Sequence, residues 1–197
     1  VSQAEAAYRR VLSFGQARHD RSLLAMAYGN LGVIYHTRGD LDQAEATLRK
    51  SLEIEEALGN KESMASDYTN LGIIYHIRGD LNQAEAMYDK ALEINKALGR
   101  KEGMAANYTN LGVIYETRGD LDRAEAMYRK ALEIHTVLGN KEGMANVYGN
   151  LGNIYHTRRD LDQAKAMYRK SLGLFEQLRA KRESAQVQRR LDALRRH

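Results

Sequence analysis

The sequence predicts an all-α fold, an α-solenoid of stacked antiparallel helix pairs with about ten helices. Three observations carry that expectation. The chain repeats every forty residues: "YGNLGVIYHTRGD" (28–40) returns as "YTNLGIIYHIRGD" (68–80), "YTNLGVIYETRGD" (108–120) and "YGNLGNIYHTRRD" (148–160). Residues 61–100 and 101–140 agree at 27 of 40 positions without insertion or deletion, so each unit is expected to pack on its neighbour in one way. Apolar residues within each period recur at three- and four-residue spacing, the helical signature, and none of the 197 residues is proline.

In chain order, a lone helix is expected near 2–17, then helix pairs over 22–58, 62–98, 102–138 and 142–178, and a last helix near 181–196. Leu24, Ala27, Tyr28, Leu31, Ile34 and Tyr35 form the apolar face of the first helix of a pair; Leu41, Ala44, Leu48, Leu52 and Leu58 form that of the second. Between them stands Arg38-Gly39-Asp40. Gly39 follows the first helix, where a left-handed residue closes the last turn. Asp40 is the N-cap of the second helix, and Gln43 three residues on completes a capping box. Arg38, in the last turn, favours the helix dipole. The tripeptide is also a cell-adhesion signal, and it recurs at 78–80 and 118–120. The fourth copy reads Arg158-Arg159-Asp160. It loses the signal and keeps the N-cap, so the segment is a turn. A second turn closes each pair: "LGNKE" (58–62), "LGRKE" (98–102) and "LGNKE" (138–142).

Tyr28-x-x-Leu31-Gly32-x-x-Tyr35 followed by Ala44-x-x-x-Leu48 resembles the tetratricopeptide repeat. The match returns at Tyr68, Leu71, Gly72, Tyr75, Ala84 and Tyr88, at Tyr108, Leu111, Gly112, Tyr115, Ala124 and Tyr128, and at Tyr148, Leu151, Gly152, Tyr155, Ala164 and Tyr168. Two departures stand out. The common repeat is 34 residues long and ends near a proline, whereas this period is forty residues without one. The chain is therefore similar to the longer-helix branch that includes kinesin light chains and the Leu-Gly-Asn repeat scaffolds. Tyr28 and its equivalents also stand where Trp often opens the motif. The resemblance implies a right-handed superhelix, with residues 1–197 forming one array. Residues 1–20 would be a partial repeat, 21–60, 61–100, 101–140 and 141–180 full repeats, and 181–197 a C-terminal capping helix. Gly32 would let two helix backbones approach, Ala44 would be the small facing residue, and the tyrosines would fill the core.

The bulk composition narrows the function classes. There is no cysteine, which removes disulfides and thiolate zinc sites and fits a reducing, cytoplasmic setting. No apolar run is long enough for a membrane span. The net charge is +4. Residues 179–197 hold seven Lys/Arg against Glu183 and Asp192, a balance of +5, which leaves about −1 for the rest. A nucleic-acid binder would spread positive charge along a face, so none is expected as a partner. The first residue is Val1, which suggests a fragment of a longer chain.

The helices of a pair differ in charge. Ser22 to Thr37 contains no Asp, Glu, Lys or Arg, whereas the second helix carries Asp42, Glu45, Arg49, Lys50, Glu53, Glu55 and Glu56. The second helix therefore faces water, including the paired Glu55 and Glu56, and the first lines a sheltered concave groove. Along that first helix a row of asparagines recurs: Asn30, Asn70, Asn110 and Asn150. An amide both donates and accepts, so a ladder of them can pair with the backbone of an extended peptide, as in the scaffolds this chain resembles. The alternative is that each amide bonds the next unit and fixes the superhelix. Val33, Ile73 and Val113 would add shallow apolar pockets, with Asn153 in the fourth unit. His36, His76, Glu116 and His156 form a further polar row. Rungs roughly 8–10 Å apart are too far for one ion with ligands near 2 Å, so no metal and no cofactor are expected.

No catalytic arrangement survives inspection: there is no phosphate loop, no HExxH, and no nucleophile beside a base. The expected function is a non-catalytic scaffold that binds an extended peptide or partner segment in the groove. The alternative is a structural protein that self-associates through the uncapped N-terminal end, where Ala4, Tyr8 and Leu12 would lack half their packing.

Overall fold

The structure is a computed structural model that describes residues 3–194. Among the described residues there are ten α-helices and no strand: α1 (Gln3–Arg18), α2 (Arg21–Thr37), α3 (Leu41–Leu58), α4 (Lys61–Ile77), α5 (Leu81–Ala97), α6 (Lys101–Thr117), α7 (Leu121–Leu138), α8 (Lys141–Thr157), α9 (Leu161–Gln177) and α10 (Lys181–Ala193). Every expected helix is present; the outermost residues expected in the first and last, 2 and 195–196, lie outside the described residues. The chain divides into two compact units, 1–99 and 100–197. In the first, each helix from α1 to α5 packs on the next, and α2 also touches α4. In the second, α6 through α10 pack in the same sequential way.

The turn within each pair is tighter than the sequence suggested. Arg38 is the last right-handed residue and Gly39 turns left-handed at φ +80°. Gly39 N–H donates to His36 O and Asp40 N–H to Tyr35 O, both at 2.9 Å, a Schellman closure. Asp40 is at once the end of that closure and the N-cap of α3, its carboxylate accepting from Gln43 N–H at 3.3 Å. This corrects the capping box: the Asp40 N–H that Gln43 would have reached is already satisfied by α2, so only the forward half forms. Arg159 adopts the left-handed turn at φ 63° without being glycine. Between pairs, Asn60 and Asn140 cap α4 and α8, whereas Arg100 makes no side-chain cap on α6.

Arg38 does more than favour a dipole. Its guanidinium pairs with Glu5, which is 1% exposed. Arg78 pairs with Glu45, which also accepts from Tyr75 Oη at 2.5 Å and Arg49 at 2.8 Å. In the second unit Arg158 pairs with Glu125, which accepts from Tyr155 Oη at 2.6 Å. One carboxylate of a second helix thus latches the first helix of the following repeat. Partial burial alone would raise Glu45 and Glu125, but hydrogen bonds from Tyr75, Arg49 and Arg78, or from Tyr155, Arg158 and Arg129, outweigh it and hold both carboxyls down to about 2.

The repeat glycines carry facing side chains, not facing backbone. A Cβ on Gly32 would stand 2.5 Å from Leu48 Cγ, and on Gly72, Gly112 or Gly152 it would meet the ring of Tyr88, Tyr128 or Tyr168 at 2.5 Å. Ala44, Ala84, Ala124 and Ala164 are fully buried. The α10 helix closes the second unit with Val187, Leu191 and Leu194 against Tyr168 and Phe175. At the other end Ala4 is exposed and Tyr8 and Leu12 are half-buried.

Candidate functional site

In the first unit, α2, α3 and α4 enclose a cleft of about 760 Å³. Asn30 and Asn70 both line it, half-buried, together with Met26, Val33 and Leu58. Those three apolar side chains are 43–44% exposed, although apolar groups of that size are usually withdrawn from water. Asn30 Nδ2 donates to Met26 O on its own helix at 2.8 Å. Ile73, His36 and His76 are half-buried on the same helices, outside the cleft lining.

The second unit has a smaller cleft of about 330 Å³, lined by Asn110 and Asn146 with His135 behind them. Asn150 and Val113 are half-buried and His156 is exposed. Two of the residues expected in the groove are engaged inside the unit. Glu116 accepts from Tyr128 Oη at 2.7 Å. Asn153 Oδ1 accepts from Tyr168 Oη at 2.8 Å and from Arg190 at 3.0 Å.

Two buried carboxyls of the first cleft were not foreseen. Glu55, expected in water beside Glu56, is only 6% exposed and lines the cleft with Asp67, which is 5% exposed. The correction has a simple cause. On α3, Glu55 lies four residues after Ser51 and eight after Thr47, both buried, and Glu56 is turned about 100° away. Ser51 Oγ donates to Ala25 O at 3.1 Å, and a Cβ on Gly29 would stand 3.5 Å from Asp67 Oδ1. Glu55 Oε2 and Asp67 Oδ2 have no hydrogen-bond partner. Burial pushes the Asp67 carboxyl up to about 7; Ser51 pulls the other way, and the nearby Glu55 charge adds to the rise.

At the position of Glu55 the other repeats carry Asn95, His135 and Phe175, and at that of Asp67 they carry Ala27, Asn107 and Val147. His135 is also buried, its Nδ1 lacks a partner, and burial lowers its pKa. A signal was therefore present in the sequence. These two positions change chemistry from repeat to repeat while Leu52 recurs at 92, 132 and 172 and Tyr68 at 28, 108 and 148. Among the described residues no cluster of three or more His, Cys, Asp or Glu could hold a metal ion.

The tetratricopeptide repeat model matches residues 2–57, 23–97, 60–136 and 103–177. The chain belongs to the tetratricopeptide repeat family. Its fold is similar to that of several solved structures. BtubC (BKLC) from P. vanneervenii shares 22% identity at a TM-score of 0.74, over 98% of this chain and 90% of that one. RapI in its apo form shares 17% at 0.86, over 92% and 66%. A Signal Transduction ATPase with Numerous Domains from Pyrococcus horikoshii, which carries a tetratricopeptide repeat sensor, shares 23% at 0.78, over 85% of this chain and 26% of that one. No curated protein matches the chain. As a tetratricopeptide repeat array, the chain is a protein-interaction scaffold of a fold that is typically non-catalytic. Among the described residues no helix is long and apolar enough to cross a membrane.

Proposed function

We propose that the array binds an extended peptide segment of a protein partner along the first helices of its repeats, with the α2–α4 cleft as the main seat. The supporting observation is the lining of that cleft. Two half-buried amides, Asn30 and Asn70, stand beside exposed Met26, Val33 and Leu58. The amides suit a peptide backbone, which needs both donors and acceptors, and the apolar groups suit its alternating side chains. Asn110 lines the corresponding cleft of the second unit.

The test is Asn30→Ala combined with Asn70→Ala, measured against peptides selected on the parent chain. Binding is expected to weaken by about 1–3 kcal/mol, the cost of leaving peptide groups unpaired, with the melting temperature nearly unchanged. A large drop in melting temperature would instead assign the amides to packing.

A second reading, self-association through the outer face of α1, is favoured by Phe14, which is 50% exposed. Light scattering across a concentration series decides it: a mass that stays monomeric in the parent and in Phe14→Ser removes this reading.

A further inference from the structure

We infer that the floor of the α2–α4 cleft is a subsite for one cationic side chain, arginine or lysine, of a bound peptide. This deepens the peptide-binding reading and rests on it. Two buried carboxyl groups, Glu55 and Asp67, line the cleft, at 6% and 5% exposure. Each keeps one oxygen, Glu55 Oε2 and Asp67 Oδ2, without a partner. The other buried carboxylate among the described residues, Glu5, is held by Arg9 and Arg38. Among the described residues no lysine or arginine pairs with Glu55 or Asp67. A buried acid without a counter-charge is costly, and a second one beside it makes the cost larger. An incoming cation removes that cost, and its donors reach acceptors that nothing in the protein uses.

The chemistry selects an organic cation. Calcium takes six to eight oxygens and magnesium a near-octahedral set; of the buried lining residues only Glu55, Asp67 and Ser51 offer side-chain oxygens, and the third lining carboxylate, Glu62, is exposed. A guanidinium brings five donors in a planar fork and an ammonium three, which fits two acceptors reached from one side. The selection also belongs to this cleft alone among the two described. In the second unit the equivalent positions hold His135 and Val147, neither of which supplies a carboxylate. The source is a peptide side chain, because Asn30 and Asn70 stand on the same cleft to take the flanking peptide groups.

The probe is Nα-acetyl-arginine N-methylamide, titrated into the ¹⁵N-labelled full chain and followed by NMR. Shifts are expected at the backbone amides of Gly29, Asn30, Asp67 and Asn70 and not around His135. Three further ligands complete the set: the citrulline analogue, uncharged and nearly isosteric; propylguanidinium, which lacks the peptide groups; and calcium chloride. The citrulline analogue should bind at least tenfold more weakly. Asp67→Asn and Glu55→Gln should each lose at least tenfold in arginine affinity. The first is compatible with the fold, since Asn107 fills the equivalent position fully buried, and circular dichroism checks both variants.

Equal affinity for citrulline and arginine overturns the subsite, as does calcium saturating the same amides more tightly than arginine. Propylguanidinium binding as well as the blocked amino acid overturns the assignment to a peptide. The two readings fail separately. A peptide that binds through Asn30 and Asn70 without preferring Arg or Lys removes the cation subsite and leaves the groove. Arginine shifts that survive Asn30→Ala with Asn70→Ala remove the groove and support the subsite.

Discussion

Arg159 shows how much one residue can depart from its repeat while the architecture holds. Gly39, Gly79 and Gly119 turn left-handed at φ between 79° and 80°, and Arg159 occupies the same turn at φ 63°. A side chain there crowds the backbone, at a cost of about 1 kcal/mol relative to glycine. The Schellman bonds nonetheless form, with Arg159 N–H to His156 O and Asp160 N–H to Tyr155 O at 2.9 Å. Arg159→Gly is therefore expected to stabilise the chain by about 1 kcal/mol, read as a higher urea midpoint with an unchanged slope. No change, or a loss, would mean that the Arg159 side chain supplies an offsetting contact. At this scale the sequence was legible: it showed that Arg159 replaces a glycine and that Asp160 survives as the cap. It could not show that the N–H of Asp160 is used by the Tyr155 carbonyl, because the Schellman closure and the capping box compete for that one donor and the residue types suit both.

At the scale of elements, the latch between repeats explains why arginine recurs at 38, 78 and 158. The carboxylate of Glu45 gathers Arg49, Tyr75 and Arg78, and Glu125 gathers Arg129, Tyr155 and Arg158. Asp42 and Asp122, each 95% exposed, add little to Arg78 and Arg158. Both glutamates are held down to about 2 in the folded chain, against about 4.3 when unfolded. Their contribution is thus fully present above about pH 4.5 and is lost as pH falls through about 2. Glu45→Gln is expected to cost about 1–2 kcal/mol at pH 7 and close to nothing at pH 2, measured by urea unfolding at both values. An equal cost at the two pH values would assign the loss to packing. The arginine and the glutamate were both visible in the repeat, but they lie 33 residues apart in sequence and only the packing of α3 on α4 joins them.

For the molecule as a whole, binding and stability pull in opposite directions at Asp67. Burial keeps its proton on in the folded chain up to about pH 7, whereas the unfolded carboxyl releases it near 4. The folded state therefore holds the extra proton between those values, and stability falls as pH rises from about 4 to about 7. Asp67→Asn removes that fall. At pH 8 the variant is expected to be more stable than the parent by roughly 1–3 kcal/mol, and at pH 4 the two should be nearly equal. A variant less stable at pH 8 would show that an internal partner compensates the carboxylate. A group that weakens the fold at the floor of a cleft is what a site retained for its ligand looks like energetically.

The sequence by itself determined the forty-residue period, the ten helices, their turns and the core made by Leu31, Tyr88, Ala44 and their equivalents. Those features are local or strictly periodic, so one repeat copied four times states them four times. It also named Asn30 and Asn70, which the structure brings to one cleft. Only the tertiary structure decided which charges leave the water. Glu55 and Glu56 are adjacent and chemically alike, yet one is 6% exposed and the other faces solvent. Their fates separate because a helix turns about 100° per residue, and the packing of α4 on α3 covers one side of that turn and not the other.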